Sequence, residues 1–168
     1  MYIDCENGWV RLDATRTPEG TAAFGARVAS LLQPGDVVLL SGDLGAGKTC
    51  LVQGVASGLG CDAVPVSPTF NIVISYGGGR LSLHHFDLYR LDDAGQLDDI
   101  GLREYLEGEG ACFVEWAEKF PAAFDEYLAL ELRKTGDEGR VVFGRAVGER
   151  GEELLGLLLG EGEEAWEP

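Results

Sequence analysis

One segment in the first third of the chain constrains the fold more than any other. Residues 36–41 form a continuous apolar run with β-branched members, which is typical of a strand buried on both faces of a parallel sheet. The run leads directly into residues 42–49, which fit the pattern G-x-x-x-x-G-K-[ST] in full. A helical apolar pattern follows and stops at glycines near residue 60. Strand, glycine-rich turn and helix together predict a phosphate-binding loop.

The chemistry of this loop predicts a nucleotide and a divalent cation. Glycines let successive backbone N–H groups point at a phosphate chain, and the following helix adds the positive end of its dipole. We expect Lys48 to reach the β- and γ-phosphates of the nucleotide and the Thr49 hydroxyl to ligate Mg²⁺. The alternative is a glycine-rich turn with an incidental lysine, which the strand before it and the helix after it disfavour. The loop residues expected to contact the nucleotide are Gly42, Asp43, Leu44, Gly45, Ala46, Gly47, Lys48, Thr49 and Cys50.

Hydrolysis needs acidic groups beyond the loop. Asp87 directly follows the apolar run 81–86, and Glu115 follows the run 111–114. Carboxylates at the carboxyl ends of parallel strands lie where open α/β sheets bind ligands. Either could contact magnesium or orient the attacking water, and either could be a solvated acid, because the chain has 29 acidic residues.

The remaining patterns complete an α/β fold: a single P-loop NTPase domain with a mostly parallel central sheet, flanking helices and added antiparallel hairpins. The predicted hairpins join segments 70–76 with 81–86, and 127–132 with 141–147. An edge strand at residues 9–12, a helix over residues 17–32 and one or two short helices over residues 91–107, broken near Gly101, are also predicted. We assign residues 1–148 to the P-loop ATPase domain, and residues 149–168 to a helix and an acidic tail.

Charge and hydropathy limit the location and the partners. The chain has 13 Lys and Arg against 29 Asp and Glu, a formal net charge of −16, and such a surface repels nucleic-acid backbones. No apolar stretch is long enough to span a membrane, and the acidic N-terminus does not resemble a secretory signal. A cytoplasmic location is therefore expected. Four scattered cysteines, without metal-ligand spacing, are expected to be reduced and at least half-buried.

The sequence alone leaves two possible roles for several individual residues. No Asn-Lys step exists, so guanine recognition of the N-K-x-D kind is excluded and adenine is expected. Thr17 and Thr21 could reach the base, although helix capping is the favoured role for Thr17. Residues 84–85, both His, should point to opposite faces of a strand, one packed and one exposed. Trp116 could fill the core or stack near the nucleotide, and Arg90 is expected to pair with a nearby acid.

Five motifs, taken in order, resemble a known family. They are residues 42–49 (GDLGAGKT), 67–70 (SPTF), 85–91 (HFDLYRL), 101–106 (GLREYL) and 114–118 (VEWAE). Over roughly residues 12–147 the chain resembles the bacterial TsaE family, the small P-loop ATPases of tRNA threonylcarbamoyladenosine biosynthesis.

The resemblance implies roles that the residues alone leave open. It implies ATP and Mg²⁺ as cofactors, TsaD and TsaB as partners, and only indirect contact with tRNA. Thr49 and Glu115 would contact magnesium. Asp87 would be the acid needed for hydrolysis, and Lys48 would be the second catalytic residue. Residues 67–70 would form a switch-like loop, and Thr21 would contact the nucleotide. Cys50 stands where the family commonly has threonine, but that side chain is not a metal ligand.

A small-molecule kinase is the alternative activity. Kinases of this architecture usually carry several arginines on a mobile lid. Residues 91–110 contain only Arg103 among many acids, which favours the ATPase.

Overall fold

The computed structural model describes residues 7–164 of the chain, and the side chains of residues 7–160. The strands in chain order are β1 (Val10–Thr15), β2 (Val37–Ser41), β3 (Val73–Tyr76), β4 (Leu83–Asp87), β5 (Ala111–Glu115), β6 (Tyr127–Thr135) and β7 (Gly139–Val147). The α-helices are α1 (Pro18–Leu31), α2 (Lys48–Leu59), α3 (Gly95–Asp99), α4 (Leu102–Leu106) and α5 (Gly148–Glu164), with single 3₁₀ turns at Ala117–Lys119 and Pro121–Ala123.

All seven strands form one mixed sheet in the order β1-β7-β6-β2-β5-β4-β3. The four central strands are parallel: β2 pairs with β5 and β6, and β4 pairs with β5. The outer pairs, β1 with β7, β6 with β7 and β3 with β4, are antiparallel. The predicted fold class is confirmed, including both hairpins and the edge position of β1.

Two apolar clusters cover the two faces of the sheet. Helices α1, α2 and α5 pack on one face, and α3, α4 and the 3₁₀ turns pack on the other. The buried strands β2 and β5 have an apolar layer on both sides, as their continuous apolar runs predict. None of the helices described in residues 7–164 is long and apolar enough to cross a bilayer.

The start of α1 and its packing on α2 follow from local sequence. Thr17 caps α1, since its Oγ1 accepts a hydrogen bond of 3.1 Å from the backbone N–H of Gly20, and Pro18 occupies the first turn. The capping role expected for Thr17 is confirmed. A Cβ atom on Gly54 of α2 would lie 1.9 Å from the carbonyl oxygen of Ala22. Only glycine allows the two helix backbones to lie this close.

Element boundaries differ from the predictions at a few places. β3 begins at Val73 rather than at residue 70, because Ile72 has a φ of 66° and its N–H donates to the carbonyl of Pro68, closing a turn. β1 extends to Thr15 and carries a bulge between Arg11 and Asp13. The C-terminal helix α5 reaches Glu164, and its Leu154 and Leu158 are buried in the main core. The acidic tail expected from Glu161 onward is part of α5 as far as Glu164, so that stretch of the prediction is wrong, and residues 165–168 lie outside the described residues.

Candidate functional site

The phosphate loop connects β2 to α2 at the carboxyl edge of the parallel strands. Gly42 has a φ of 145°, and a Cβ there would lie 2.7 Å from the carbonyl oxygen of Leu132. Gly47, with a φ of 100°, precedes α2 as its N-cap and offers no capping side chain. The first N–H groups of α2 therefore have no side-chain acceptor and can bind an anion. This arrangement fits a phosphate group.

Lys48 lies inside the cleft beside this loop. Its Nζ donates a 2.9 Å hydrogen bond to the carbonyl of Gly42 and lies 3.1 Å from Oε1 of Glu115. A cleft of about 620 Å³ is lined by Lys48, Gly42, Trp116 and Lys134, among others. That volume is in the range of small-molecule sites. The lysine thus lies where a phosphate chain wrapped by the loop would meet its charge.

The two carboxylates predicted from strand ends are next to each other. Asp87 and Glu115 are register partners at the ends of the parallel strands β4 and β5, and each is 5% exposed. The sheet geometry therefore converts two separate sequence signals into one acidic pair beside Lys48. The solvated-acid reading of either residue is wrong.

Glu115 has a different partner on each carboxylate oxygen. Oε2 accepts a 2.8 Å hydrogen bond from Nε2 of the fully buried His85, while Oε1 faces Lys48. Burial by itself raises the pKa of Glu115, but the hydrogen bonds and charges of His85 and Lys48 lower that pKa below its ordinary value. Glu115 is therefore a carboxylate that stays ionised in a buried position.

Asp87 accepts hydrogen bonds on both oxygens. Oδ1 accepts from the backbone N–H of Tyr89 at 3.0 Å, and Oδ2 accepts from the Thr69 hydroxyl at 3.1 Å. Thr69 belongs to the loop 67–70, in which its Oγ1 also lies 2.9 Å from the hydroxyl of Ser67. The loop expected to be switch-like is thus joined directly to the expected hydrolytic acid.

Trp116 and Arg90 each contact an aromatic ring. Trp116 has a φ of 63°, is 39% exposed and lies 5.0 Å from the ring of Tyr89, so it is not a core residue. The Arg90 guanidinium lies 4.6 Å from the centre of the Phe70 ring. An acidic partner was expected for Arg90, but in the described part of the chain it makes this cation–π contact instead.

Thr21 supports the loop from behind. It is 1% exposed, its Oγ1 lies 2.8 Å from that of Thr15, and its methyl group is 3.7 Å from where a Cβ on Gly47 would be. Its hydroxyl is thus engaged within the protein next to the loop. Direct contact with the nucleotide stays a prediction.

Sequence reasoning missed two supporting residues. Arg140 of β7 donates from Nε to the carbonyl of Ala46 at 2.7 Å and from Nη2 to that of Gly45 at 3.1 Å, which fixes two peptide groups of the loop. His85 was expected only to be packed or exposed, and its contact with Glu115 was not foreseen. The buried His85 and the half-buried His84 do confirm the predicted alternation.

The donor set fits magnesium. Among residues 7–164, no cluster of three or more His, Cys, Asp or Glu side chains could hold a metal by itself. Thr49, at the start of α2, and Glu115 would supply two oxygen ligands, and phosphates and water would complete the set. Mg²⁺ is commonly held in this way, by one or two protein oxygens together with substrate phosphates.

The chain is similar to proteins of one known family. The family model for "Threonylcarbamoyl adenosine biosynthesis protein TsaE" matches residues 15–142, which include the loop, Asp87 and Glu115. The chain belongs to the TsaE family. It is 44% identical over 144 residues to the tRNA threonylcarbamoyladenosine biosynthesis protein TsaE of Bacillus subtilis, covering 83% of this chain and 88% of that one. The TsaE protein of Treponema pallidum is 42% identical over 129 residues, covering 76% of this chain and 95% of the relative.

A solved TsaE-like structure has the same fold. The crystal structure of YdiB from Bacillus subtilis superposes with a TM-score of 0.76 at 37% identity, covering 91% of this chain and 95% of that chain. The match therefore includes elements on both sides of the phosphate loop.

Proposed function

We propose that this TsaE family member binds Mg-ATP in the cleft beside residues 42–49 and hydrolyses it to ADP and phosphate. The observation that carries the proposal is the convergence of Lys48, Asp87 and Glu115 at one edge of the sheet. A phosphate loop with only a lysine would bind nucleotide, but Glu115, ion-paired with that lysine, and its register partner Asp87 add two buried carboxylates that provide for hydrolysis. The supporting comparisons are with proteins named for threonylcarbamoyladenosine biosynthesis.

The residues divide the work as follows. Amides of the loop and of the first turn of α2 bind the phosphates, and Lys48 neutralises charge on the transferred group. Thr49 and Glu115 would hold Mg²⁺, which supplies Lewis-acid stabilisation of the phosphate oxygens. Asp87 orients the attacking water and accepts its proton on a carboxylate oxygen.

The loop 67–70 is proposed to report the nucleotide state. Thr69 donates to Asp87, so a change at the hydrolytic acid alters the hydrogen bond that anchors this loop. Hydrogen exchange of residues 67–72 with a nonhydrolysable ATP analogue should be slower than without nucleotide. Equal exchange in both states would contradict the coupling.

The cellular role is proposed to be support of tRNA threonylcarbamoyladenosine formation in the cytoplasm, in a complex with TsaD and TsaB. A protein of charge −16 is poorly suited to bind tRNA alone, so contact with tRNA would pass through these partners. Large apolar side chains are exposed in the phosphate loop, where Leu44 is 97% exposed, and in the segments that contact Asp87, where Phe70 is 78% and Tyr89 57% exposed. Such groups on a soluble surface are typical of a protein interface.

Phosphate release tests the proposal. Purified protein should release phosphate from Mg-ATP slowly alone and faster with TsaD and TsaB. With a threonylcarbamoyl donor added, the three proteins should restore threonylcarbamoyladenosine formation on an unmodified tRNA that reads ANN codons. Stimulation by a small acceptor without TsaD and TsaB would favour the kinase instead. The structure gives little support to a kinase lid, because Leu97 and Leu102 of the segment 91–110 are buried against the sheet.

A further inference from the structure

The buried histidine next to Glu115 has no evident purpose in the core. His85 is 0% exposed, and its Nε2 lies 2.8 Å from Oε2 of Glu115. Within residues 7–160, Nδ1 of His85 has no hydrogen-bond partner. Burying a polar imidazole ring with a single hydrogen bond costs free energy that Leu or Phe in the same volume would not cost. The feature that distinguishes the histidine from such a residue is its hydrogen bond to Glu115.

The direction of this hydrogen bond is fixed by its partner. An ionised carboxylate can only accept, and Glu115 is ion-paired with Lys48 through Oε1, so the hydrogen in the contact with Oε2 is on Nε2 of His85. His85 therefore donates to Oε2 and leaves Oε1 as the oxygen that can exchange partners. In the structure described here, Oε1 faces Lys48 at 3.1 Å.

The number of carboxylate oxygens of Glu115 that are free to bind a cation affects which cation is preferred. Mg²⁺ prefers compact octahedral sites with oxygens at about 2.1 Å and is commonly bound by one oxygen of a carboxylate. Ca²⁺ is larger and readily takes both oxygens of one carboxylate. A carboxylate with one oxygen held by a buried donor is thus suited to the smaller ion.

We propose that His85 is a positioning residue that holds Oε2 of Glu115, presents Oε1 alone to the cation and so favours Mg²⁺ over Ca²⁺. The inference rests on the proposed function, since it concerns the cation bound with the nucleotide. Partners of this kind, which orient a metal ligand without touching the metal, typically change metal affinity by about 10- to 100-fold when they are removed.

The chain provides a matched control one residue away. His84 is on the opposite face of β4, where its Nδ1 lies 2.7 Å from the hydroxyl of Ser75 and its ring is 4.8 Å from that of Tyr105. Its removal changes the same residue type in the same strand without reaching Glu115.

The test is the ADP affinity of the full chain, measured by calorimetry in Mg²⁺, in Ca²⁺ and in EDTA. Mg²⁺ should increase the ADP affinity of His85→Leu about 10-fold less, or weaker still, than it increases that of wild type. The increase caused by Ca²⁺ and the ADP affinity in EDTA should change little. His85→Gln keeps an N–H donor and should retain most of the magnesium effect, and His84→Leu should retain all of it. If His85→Leu does not fold, His85→Asn, whose amide ends short of Glu115, replaces it.

Two results overturn the inference alone. In the first, His85→Leu, or His85→Asn where that variant replaces it, shows the same ratio as wild type between the increase in ADP affinity caused by Mg²⁺ and the increase caused by Ca²⁺. The other is a loss in His85→Gln as large as that in the variant without a donor, which would show that packing and not the hydrogen bond matters. Wild-type protein that binds ADP equally in Mg²⁺ and EDTA would instead contradict the proposed magnesium site, and the inference with it.

Discussion

Nζ of Lys48 lies 3.1 Å from Oε1 of Glu115, so the lysine of the phosphate loop and the expected magnesium ligand are ion-paired in the same cleft. Both side chains are largely buried, and the charge of Lys48 helps to lower the pKa of Glu115 below its ordinary value. Binding of Mg-ATP would give each a new partner: phosphate oxygens for Lys48 and the cation for Glu115. In the proposed site, the ion pair would hold both groups in place before the nucleotide binds.

Loss of the loop lysine should remove hydrolysis. Lys48→Ala takes away the charge that stabilises the transferred phosphoryl group, and kcat should fall by about 100- to 1,000-fold. Phosphate release under saturating Mg-ATP measures this. Arg103→Ala, which removes an exposed positive charge on α4, should keep the wild-type rate. Equal rates in Lys48→Ala and wild type would contradict the assignment.

Asp87 should be needed for turnover rather than for binding. Asp87→Asn keeps the shape and an oxygen that can accept from Thr69, but it cannot take a proton from water. We expect kcat to fall by about 10²- to 10⁴-fold, with the ATP affinity nearly unchanged by calorimetry. The exposed Asp99→Asn on α3 serves as the control. A parallel loss of affinity in Asp87→Asn would show that this acid acts in binding.

The lowered pKa of Glu115 predicts a pH-dependent contribution to stability. The unfolded state has the ordinary pKa, so in acid it binds the proton before the folded state does. Stability from Glu115 is therefore complete above the ordinary value and is lost as pH falls through the lowered one. The free energy of unfolding in urea, compared between wild type and Glu115→Gln from about pH 6 to about pH 3, should show a difference that shrinks on acidification. A difference that is constant with pH would contradict the ion pair.

Arg140 should be irreplaceable by lysine. Its planar guanidinium donates to two loop carbonyls, of Gly45 and Ala46, which a single ammonium cannot do with the same geometry. Arg140→Lys should lower the free energy of unfolding by about 1–3 kcal/mol and weaken ATP binding, whereas Arg11→Lys on the exposed side of β1 should change neither. Urea denaturation and calorimetry measure the two effects. Wild-type ATP affinity in Arg140→Lys would show that the loop does not need this support.

The close approach of α1 and α2 predicts opposite effects of the same substitution at two glycines. Gly54→Ala would place a methyl group 1.9 Å from the carbonyl oxygen of Ala22, and should destabilise the fold by about 3 kcal/mol. Gly156→Ala, in α5 with no atom within 4 Å of the added methyl, should stabilise it by about 0.5–1 kcal/mol. Thermal or urea denaturation of both variants distinguishes them. Similar effects at the two sites would contradict the helix packing.

The cysteines should differ in reactivity. Burial raises the pKa of the Cys112 thiol to about 12, so that thiol should resist alkylation near neutral pH as long as the protein is folded. Cys50 and Cys61 are half-buried and also have raised pKa values, mainly through burial, but they remain accessible. Mass spectrometry after a short alkylation should find Cys112 unmodified. Early labelling of Cys112 would contradict its burial.

Local signals were enough to predict the elements that carry the site. The apolar runs before Asp87 and Glu115 identify strand ends, and the rule that parallel strands end at one edge of the sheet then brings the two acids together. The loop motif at residues 42–49 is flanked in the sequence by the patterns of a strand and a helix, which together predict its structure. For these residues, sequence position and general sheet geometry contain the needed information.

Contacts between residues distant in sequence could not be predicted. Arg140 reaches Ala46 across 94 positions, and His85 reaches Glu115 only because β4 lies next to β5 in this register. Alternation in a strand says that residues 84 and 85 point apart, but not which of them faces the acidic pair. Arg90 was expected to find one of many acids, and its contact with Phe70 depends on where the turn at Ile72 directs the loop.

Titration of Mg-ATP into the folded full-length protein, followed by calorimetry, tests the central claim most directly. The account predicts saturable heat with one ATP bound per chain, and a large loss of affinity in Lys48→Ala that is measured below the unfolding temperature of the variant. The absence of binding heat from wild-type protein at several temperatures would contradict the nucleotide site and every role assigned to it.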